Sequence, residues 1–173
     1  MKTWLGALVL MGLAACEPKP AFVADGFRDT NVVITSSTRF DFMRFAGDWM
    51  VIESFEQTPR EVTVSRLTFK PEAGGYRYIS KAAISPLAAD AEGGDWPFLT
   101  VGQFGRLSPE VGDPVWVIWV DEDHRTAALG TPSGRFGMIV NRTKSLRPDR
   151  LKAAREILAF NGYDITKLRK VSP

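Results

Sequence analysis

Phe45-Ala46-Gly47-Asp48-Trp49-Met50-Val51-Ile52-Glu53-Ser54-Phe55 and, near the other end of the chain, Phe136-Gly137-Met138-Ile139-Val140-Asn141-Arg142 are the two stretches that decide the fold. In the first, a large aromatic ring opens an alternating run. In the second, an arginine closes an apolar run. A guanidinium lying flat on the indole would seal the place where first and last strands meet, a contact worth about 0.5–2 kcal/mol. A sheet loses its free edges only when its two ends are joined. Gly47, Trp49 and Arg142 are therefore the expected closure of an all-β, antiparallel barrel.

Between these ends the strand pattern is regular. Glu61 to Phe69, Tyr76 to Ile84, Pro97 to Leu107, Val115 to Val120, Thr126 to Gly130 and Arg135 to Arg142 alternate or run apolar, separated by stretches rich in Gly, Pro and Asp that suit turns. Residues 85–95 read as a loop. Phe40 to Phe45 reads as a short helical turn plugging one end. Then the period changes. From Pro148, a residue suited to a first helical position, to Phe160, Leu151, Ala154, Ile157 and Leu158 form a stripe at spacings of three and four. Gly162 follows as a helix stop. One C-terminal α-helix should pack on the outside of the sheet, with Ile165, Leu168 and Val171 as possible anchors of the tail.

Upstream, Lys2, an apolar stretch from Trp4 to Leu13, and Leu13-Ala14-Ala15-Cys16 form an address. The apolar part is about ten residues long, half of what a membrane-spanning helix needs. Residues 1–15 read as a lipoprotein signal peptide and Leu-Ala-Ala-Cys as a bacterial lipobox, with Cys16 the lipidated residue. An ordinary secretory signal with a chance cysteine is the alternative. Several acyl chains anchor stably where one is marginal. Glu17 after the cysteine favours the outer membrane, facing the periplasm. Residues 16–39 read as a lipidated tether, in which Val32-Val33-Ile34 could lie against the barrel, and residues 40–173 as the barrel with its helix.

Composition excludes several chemistries. Cys16 is the sole cysteine and His124 the sole histidine, so neither a disulfide, a thiolate metal site nor a standard Ser-His-Asp triad has the material. No metal site, no cofactor and no catalytic residue is expected. Asp121, Glu122 and Asp123 could hold calcium, but acids at a hairpin tip are usually a solvated turn. Net charge is +2 at pH 7 with no basic block, which gives no reason to expect nucleic acid as a partner.

At this point the residues resemble the lipocalin family. The Gly-x-Trp motif of its first strand stands as Gly47-Asp48-Trp49, and its arginine ending the last strand as Arg142 in Val140-Asn141-Arg142-Thr143. Val120-Asp121-Glu122-Asp123-His124-Arg125 takes the place of the second motif, with His124 where a tyrosine is common. The helix Leu151 to Phe160, the following Asn161-Gly162-Tyr163-Asp164 and the lipobox are similar to the bacterial outer-membrane lipoprotein lipocalins. The stretch 57–61 lacks the usual glycine-rich lid loop, and 70–105 matches only in outline. The resemblance implies an eight-stranded antiparallel up-and-down β-barrel, and a binding protein rather than an enzyme, with a fatty acid or lysophospholipid as ligand.

An eight-stranded barrel holds one small ligand. Counting from Trp49 and Arg142, Val115, Val117 and Trp119 are expected to face inward on one strand, Ala128 and Gly130 on the next, and Met138 and Val140 on the last. Ala128 and Gly130 would leave space, Trp119 and Met138 would wall it, and Glu53 would be a polar group facing the ligand or sitting at the rim. A slip of one residue turns a strand over, in which case Trp116, Ile118 and Ile139 line the interior instead. The other reading is a packed barrel without a cavity, an interaction lipoprotein of envelope assembly whose contact patch would involve Trp96, Phe98 and Phe104. A lipocalin-type enzyme is a third. Monomer and homodimer are both open.

Overall fold

The computed structural model describes residues 26–55, 66–80 and 97–171. The leader, Cys16, Trp96, the loop expected at 85–95 and the stretch 57–61 lie outside the described residues, as do the first residues of the strand expected from Glu61 and the last of that expected from Tyr76. The elements are α1 (Phe42–Phe45), β1 (Gly47–Phe55), β2 (Arg66–Glu72), β3 (Gly75–Ser80), β4 (Phe98–Val101), β5 (Arg106–Pro109), β6 (Val115–Val120), β7 (Thr126–Gly130), β8 (Gly137–Asn141), α2 (Pro148–Phe160) and β9 (Leu168–Lys170). Each of β1 to β8 pairs antiparallel with its neighbour in sequence, and β1 pairs with both β2 and β8, so the sheet closes. The expected eight-stranded barrel with an outer helix is the fold. The added strand β9 pairs with Glu53–Phe55 of β1.

The two ends of the barrel differ in kind. At the base, β1 begins and β8 ends. There α1 supplies Phe45, which packs against Trp49 at 4.9 Å and Phe69 at 5.2 Å, while Phe42 stacks on Tyr76 at 4.5 Å. Asp41 caps α1 by accepting the Arg44 amide at 2.8 Å. At the mouth, β1 ends, β8 begins, and the connections 110–114 and 131–136 form part of the rim.

The stretch expected to run as one strand from Pro97 to Leu107 is two. Gly102–Gly105 turns the chain between β4 and β5, with Phe104 at φ +59. An aromatic residue in the left-handed region is uncommon, and nothing in the local pattern announces it. Residues 26–39, expected as tether, are packed on the barrel. Phe27 stacks on Phe55 at 5.1 Å, Arg28 bridges to Tyr163, and the Ser37 amide donates to the Val117 carbonyl at 2.8 Å. This segment descends the outer wall from rim to base and delivers α1 to its place.

Candidate functional site

Two apolar clusters divide the protein, and the barrel wall separates them. The inner one holds Phe45, Trp49, Val51, Leu67, Phe69, Tyr76, Tyr78, Leu99, Leu107, Val115, Val117, Val120, Ala127, Leu129, Phe136, Met138 and Val140, among others. The outer one holds Phe55, Ile118, Ala128, Ile139, Tyr163 and Leu168 with Ala154 and Leu158 of α2. Cross-strand partners belong to the same cluster, as alternation requires: Val117 with Leu129, Leu129 with Met138, Ala127 with Val140, and Val51 with Val140.

This sorts the expected site residues. Val115, Val117, Met138 and Val140 lie in the inner cluster, in the first of the two phases considered. Trp119, Ala128 and Glu53 do not, and each is a correction. The β6–β7 register shifts between Val117 and Trp119, so that Trp119 pairs with the outward Ala128 and inward facing resumes at Val120. The β1–β8 register shifts between Val51 and Glu53, which pairs with the outward Ile139. Each shift is a β-bulge, and one extra residue turns the remaining side chains over. On β7 the inward residues are Ala127 and Leu129. Ala128 instead offers a small surface to the outer cluster. Gly130 also faces out: a Cβ there would stand 2.3 Å from the Tyr163 hydroxyl. That residue is small because another side chain crosses it, not to make room in the barrel.

Glu53 is 3 % exposed, and its carboxylate accepts from Arg155 of α2, at 2.8 Å from Nε and by a second contact from Nη2. Its hydrogen bonds to the Glu53 carboxylate hold the Arg155 guanidinium above its ordinary pKa, against the opposing effect of burial. A buried carboxylate needs such a partner, and here the pair ties the helix to the wall. Nothing local could have revealed it, because the partners are 102 residues apart. The same is true of Tyr163, which accepts from the Thr131 amide at 2.8 Å and shares its proton between the Thr131 and Phe136 carbonyls. Burial pushes the Tyr163 phenol well above the ordinary tyrosine range.

The closure is built as the two ends of the sequence implied. The Arg142 guanidinium carbon lies 3.7 Å from the Trp49 ring centroid. Its nitrogens donate to the carbonyls of His124 at 3.2 Å, Asp48 at 2.9 Å and Arg44 at 2.6 Å, so one side chain links β1, the α1 segment and the β6–β7 turn. Desolvation lowers the Arg142 pKa, opposed by the nearby Asp48. Gly47 has φ +94, and a Cβ would sit 3.5 Å from Arg142 Nη1. A side chain there would meet backbone strain before it met a clash. Trp49 Nε1 donates to the Phe45 carbonyl at 2.8 Å, leaving the ring face to the cation.

His124 holds the turn between β6 and β7 at φ +56 and is buried, its ring nitrogens without hydrogen-bond partners. Asp121 accepts the amides of Arg125 and Thr126 at 2.6 and 2.9 Å. Arg150 of α2 reaches Asp121 at 2.8 Å and Asp123 at 2.6 Å, so these acids fasten the helix rather than facing one another. Phe98 opens β4 beneath the Arg77 guanidinium, 5.4 Å away, and Phe104 sits in the turn that follows β4. A cavity of about 100 Å³ lies between Arg125, Asn141, Ser145, Leu146, Arg147 and Arg150. It is outside the barrel and well below the roughly 300 Å³ at which drug-sized ligand sites begin.

The barrel interior is thus the candidate site. Aromatic rings fill its base. Beyond them its wall carries Val115, Val117, Leu129, Met138 and Val140 on β6–β8, with Leu99 and Tyr78 in the same cluster. Leu129, Leu99 and Tyr78 were missed in the sequence. Leu129 was legible from alternation once Ala127 was taken as inward; the other two adjoin segments whose pattern is weak.

Comparison with known proteins agrees with this architecture. The temperature-induced lipocalin-1 of Arabidopsis thaliana is 36% identical over 70 residues, 40% of this chain and 37% of that one, so the chain spans little more than a third of that relative. Among solved structures, the cockroach allergen Per a 4 superposes with a TM-score of 0.62 at 12% identity, covering 81% of this chain and 92% of that one. Insecticyanin of the tobacco hornworm Manduca sexta gives 0.53 at 15%, covering 82% and 85%. At such identities the structures speak for the fold alone. A family model described as the lipocalin-like domain matches residues 84–173, and the chain belongs to that family.

Proposed function

We propose that this chain is a lipid-anchored lipocalin of a bacterial envelope that binds a fatty acid or lysophospholipid inside its barrel. Lipocalins are generally binding and transport proteins for small hydrophobic ligands. One observation carries the reading here. Among the described residues, the inner face is lined chiefly by aliphatic and aromatic side chains, with Ser54, the cross-strand partner of Met138, a buried polar exception, while the charged groups of the wall stand outside it. Such a lining rewards removal of acyl surface from water at about 25 cal/mol per Å², and a headgroup stays at the wet mouth. Val115, Val117, Met138 and Val140 are the proposed contacts among the residues first expected, joined by Leu129 and Tyr78. Met138 adapts to an irregular chain.

The anchor is proposed from Leu13-Ala14-Ala15-Cys16, and the outer membrane, facing the periplasm, from Glu17. Delipidated protein mixed with a long-chain lysophosphatidylcholine should bind with a Kd of about 1 µM or better, some −8 kcal/mol. No calorimetric heat, together with no displacement of a fluorescent fatty acid, removes the ligand. Intact mass of protein taken from membranes should show the acylated Cys16 as its first residue. A chain cut elsewhere, or unmodified, removes the anchor.

A further inference from the structure

The first described residues fix where any N-terminal tether leaves the barrel. The Phe27 amide donates to the Gly134 carbonyl at 2.7 Å, and the Asp164 amide donates to the Phe27 carbonyl at 2.8 Å. Arg28 is 2 % exposed and donates to three carbonyls: Asn161 at 2.7 Å, Pro132 at 2.9 Å, and Val32. Pro132 and Gly134 belong to the connection between β7 and β8, which lies on the rim of the mouth. The segment then runs along the wall, and the Ser37 amide meets the Val117 carbonyl before α1 closes the base. The exit point is therefore pinned to the mouth, on the side of the barrel that carries α2.

Cys16 and Gly26 are ten residues apart. Ten residues span at most about 36 Å. β1 is nine residues long, so with the usual strand tilt the base lies about 20 Å beyond the mouth along the barrel axis. An anchor at Cys16 thus tethers the barrel by its mouth and bounds the mouth to within about 36 Å of whatever surface takes the acyl chains. Attached at the base instead, the same linker would let the mouth stand about 20 Å further off.

We propose that the anchored protein presents the mouth of its barrel to the lipid surface that holds Cys16, so that ligand passes between bilayer and barrel by a short path. This rests on the lipid-anchor reading above. It names the bilayer itself as the partner from which the ligand is drawn and to which it returns.

The test uses the full chain, recovered from membranes and returned to phosphatidylcholine vesicles doped with an acceptor-labelled lipid. Acylation of Cys16 leaves an introduced thiol as the sole reactive one. Val111→Cys labels the rim, where Val111 is 87 % exposed, and Glu122→Cys labels the base. Energy transfer from the rim label should exceed that from the base label by roughly twofold or more. Inserting about twenty Gly/Ser residues between Pro20 and Ala21 should erase the difference, since a flexible linker of that length no longer holds either end. With acylation confirmed by mass, equal transfer or stronger transfer from the base overturns the orientation and leaves the anchor standing. A rim preference that survives the longer linker also overturns it. Absence of the acyl mass overturns the anchor, and the orientation with it.

Discussion

The inner and outer faces of the same strands are held by different chemistry. The inner face of β6–β8 is Val, Leu, Met and Ala, and its neighbours pair like with like across the sheet. The outer face of those strands carries Ile118, Ala128 and Ile139, but around them stand Glu53 with Arg155, Asp121 with Arg150, and the Tyr163 hydroxyl on Thr131 and Phe136. Directional contacts fix the helix and the N-terminal segment in one place. On the inner face, the directional contacts seen among the described residues gather at the base, where Arg142 meets Trp49, Trp49 donates to the Phe45 carbonyl and the Tyr76 hydroxyl donates to the Phe42 carbonyl. A surface meant to receive an apolar guest gains nothing from fixed polar partners, because each one left unmatched costs free energy.

The closure should show the largest effect. Arg142→Ala removes a stacked cation and three charged hydrogen bonds, and should cost about 3–5 kcal/mol in urea unfolding. Arg142→Lys keeps the charge but loses the planar fork, and should recover less than half of that. On the outer face, Arg155→Met leaves the buried Glu53 carboxylate unpaired and should cost about 2–3 kcal/mol, less than for a fully buried pair because Arg155 is 45% exposed. Glu53→Gln should cost less than Arg155→Met; the reverse order would mean that the pair is not what seats the helix.

Tyr163→Phe removes the hydroxyl that links the Thr131 amide to the Thr131 and Phe136 carbonyls, but the amide keeps its bond to the Phe136 carbonyl, so the cost should be about 1 kcal/mol near neutral pH. Its pH dependence has a definite sign. Burial raises the folded pKa of Tyr163 above that of a free tyrosine. The contribution is complete below about pH 10 and is lost as pH rises through the folded value, since the unfolded chain gives up its proton first. Between about pH 8 and pH 11 the wild type should lose more stability than Tyr163→Phe. Tyr76, raised chiefly by burial as well, leaves a residual loss in the variant. On the inner face, Val115→Trp, near the mouth, should lower lysolipid affinity about tenfold or more, while its added bulk at a site 1 % exposed should cost about 1–3 kcal/mol of stability. Ala128→Trp, on the opposite face of the wall, should disrupt α2 with little change in affinity.

Much of this fold was legible in the sequence because its strongest signals are local. β6, β7 and α2 begin and end where the apolar pattern does: Val115 to Val120, Thr126 to Gly130, Pro148 to Phe160. Trp49 and Arg142 were readable as a pair because a barrel must join its ends. What failed was the phase. Two bulges, near Ile52 and Ile118, turned Glu53 and Trp119 outward, and neither has a signature in an unbroken run of β-formers such as Val115-Trp116-Val117-Ile118-Trp119-Val120. Ala128 and Gly130 were small for a reason on the far side of the wall. Phe27 and Arg28 looked like tether because their partners, from Pro132 to Asp164, lie more than a hundred residues downstream. Long-range complementarity of this kind is written in no window of the chain.

The most direct measurement of the inner face as a binding site is a crystal of the delipidated protein soaked with a brominated long-chain fatty acid. The anomalous signal of the bromine should fall inside the barrel, within van der Waals reach of Val117, Leu129 or Met138. Bromine found only on the outer face beside α2, or no ordered bromine in a protein whose barrel is filled by its own side chains, would contradict it.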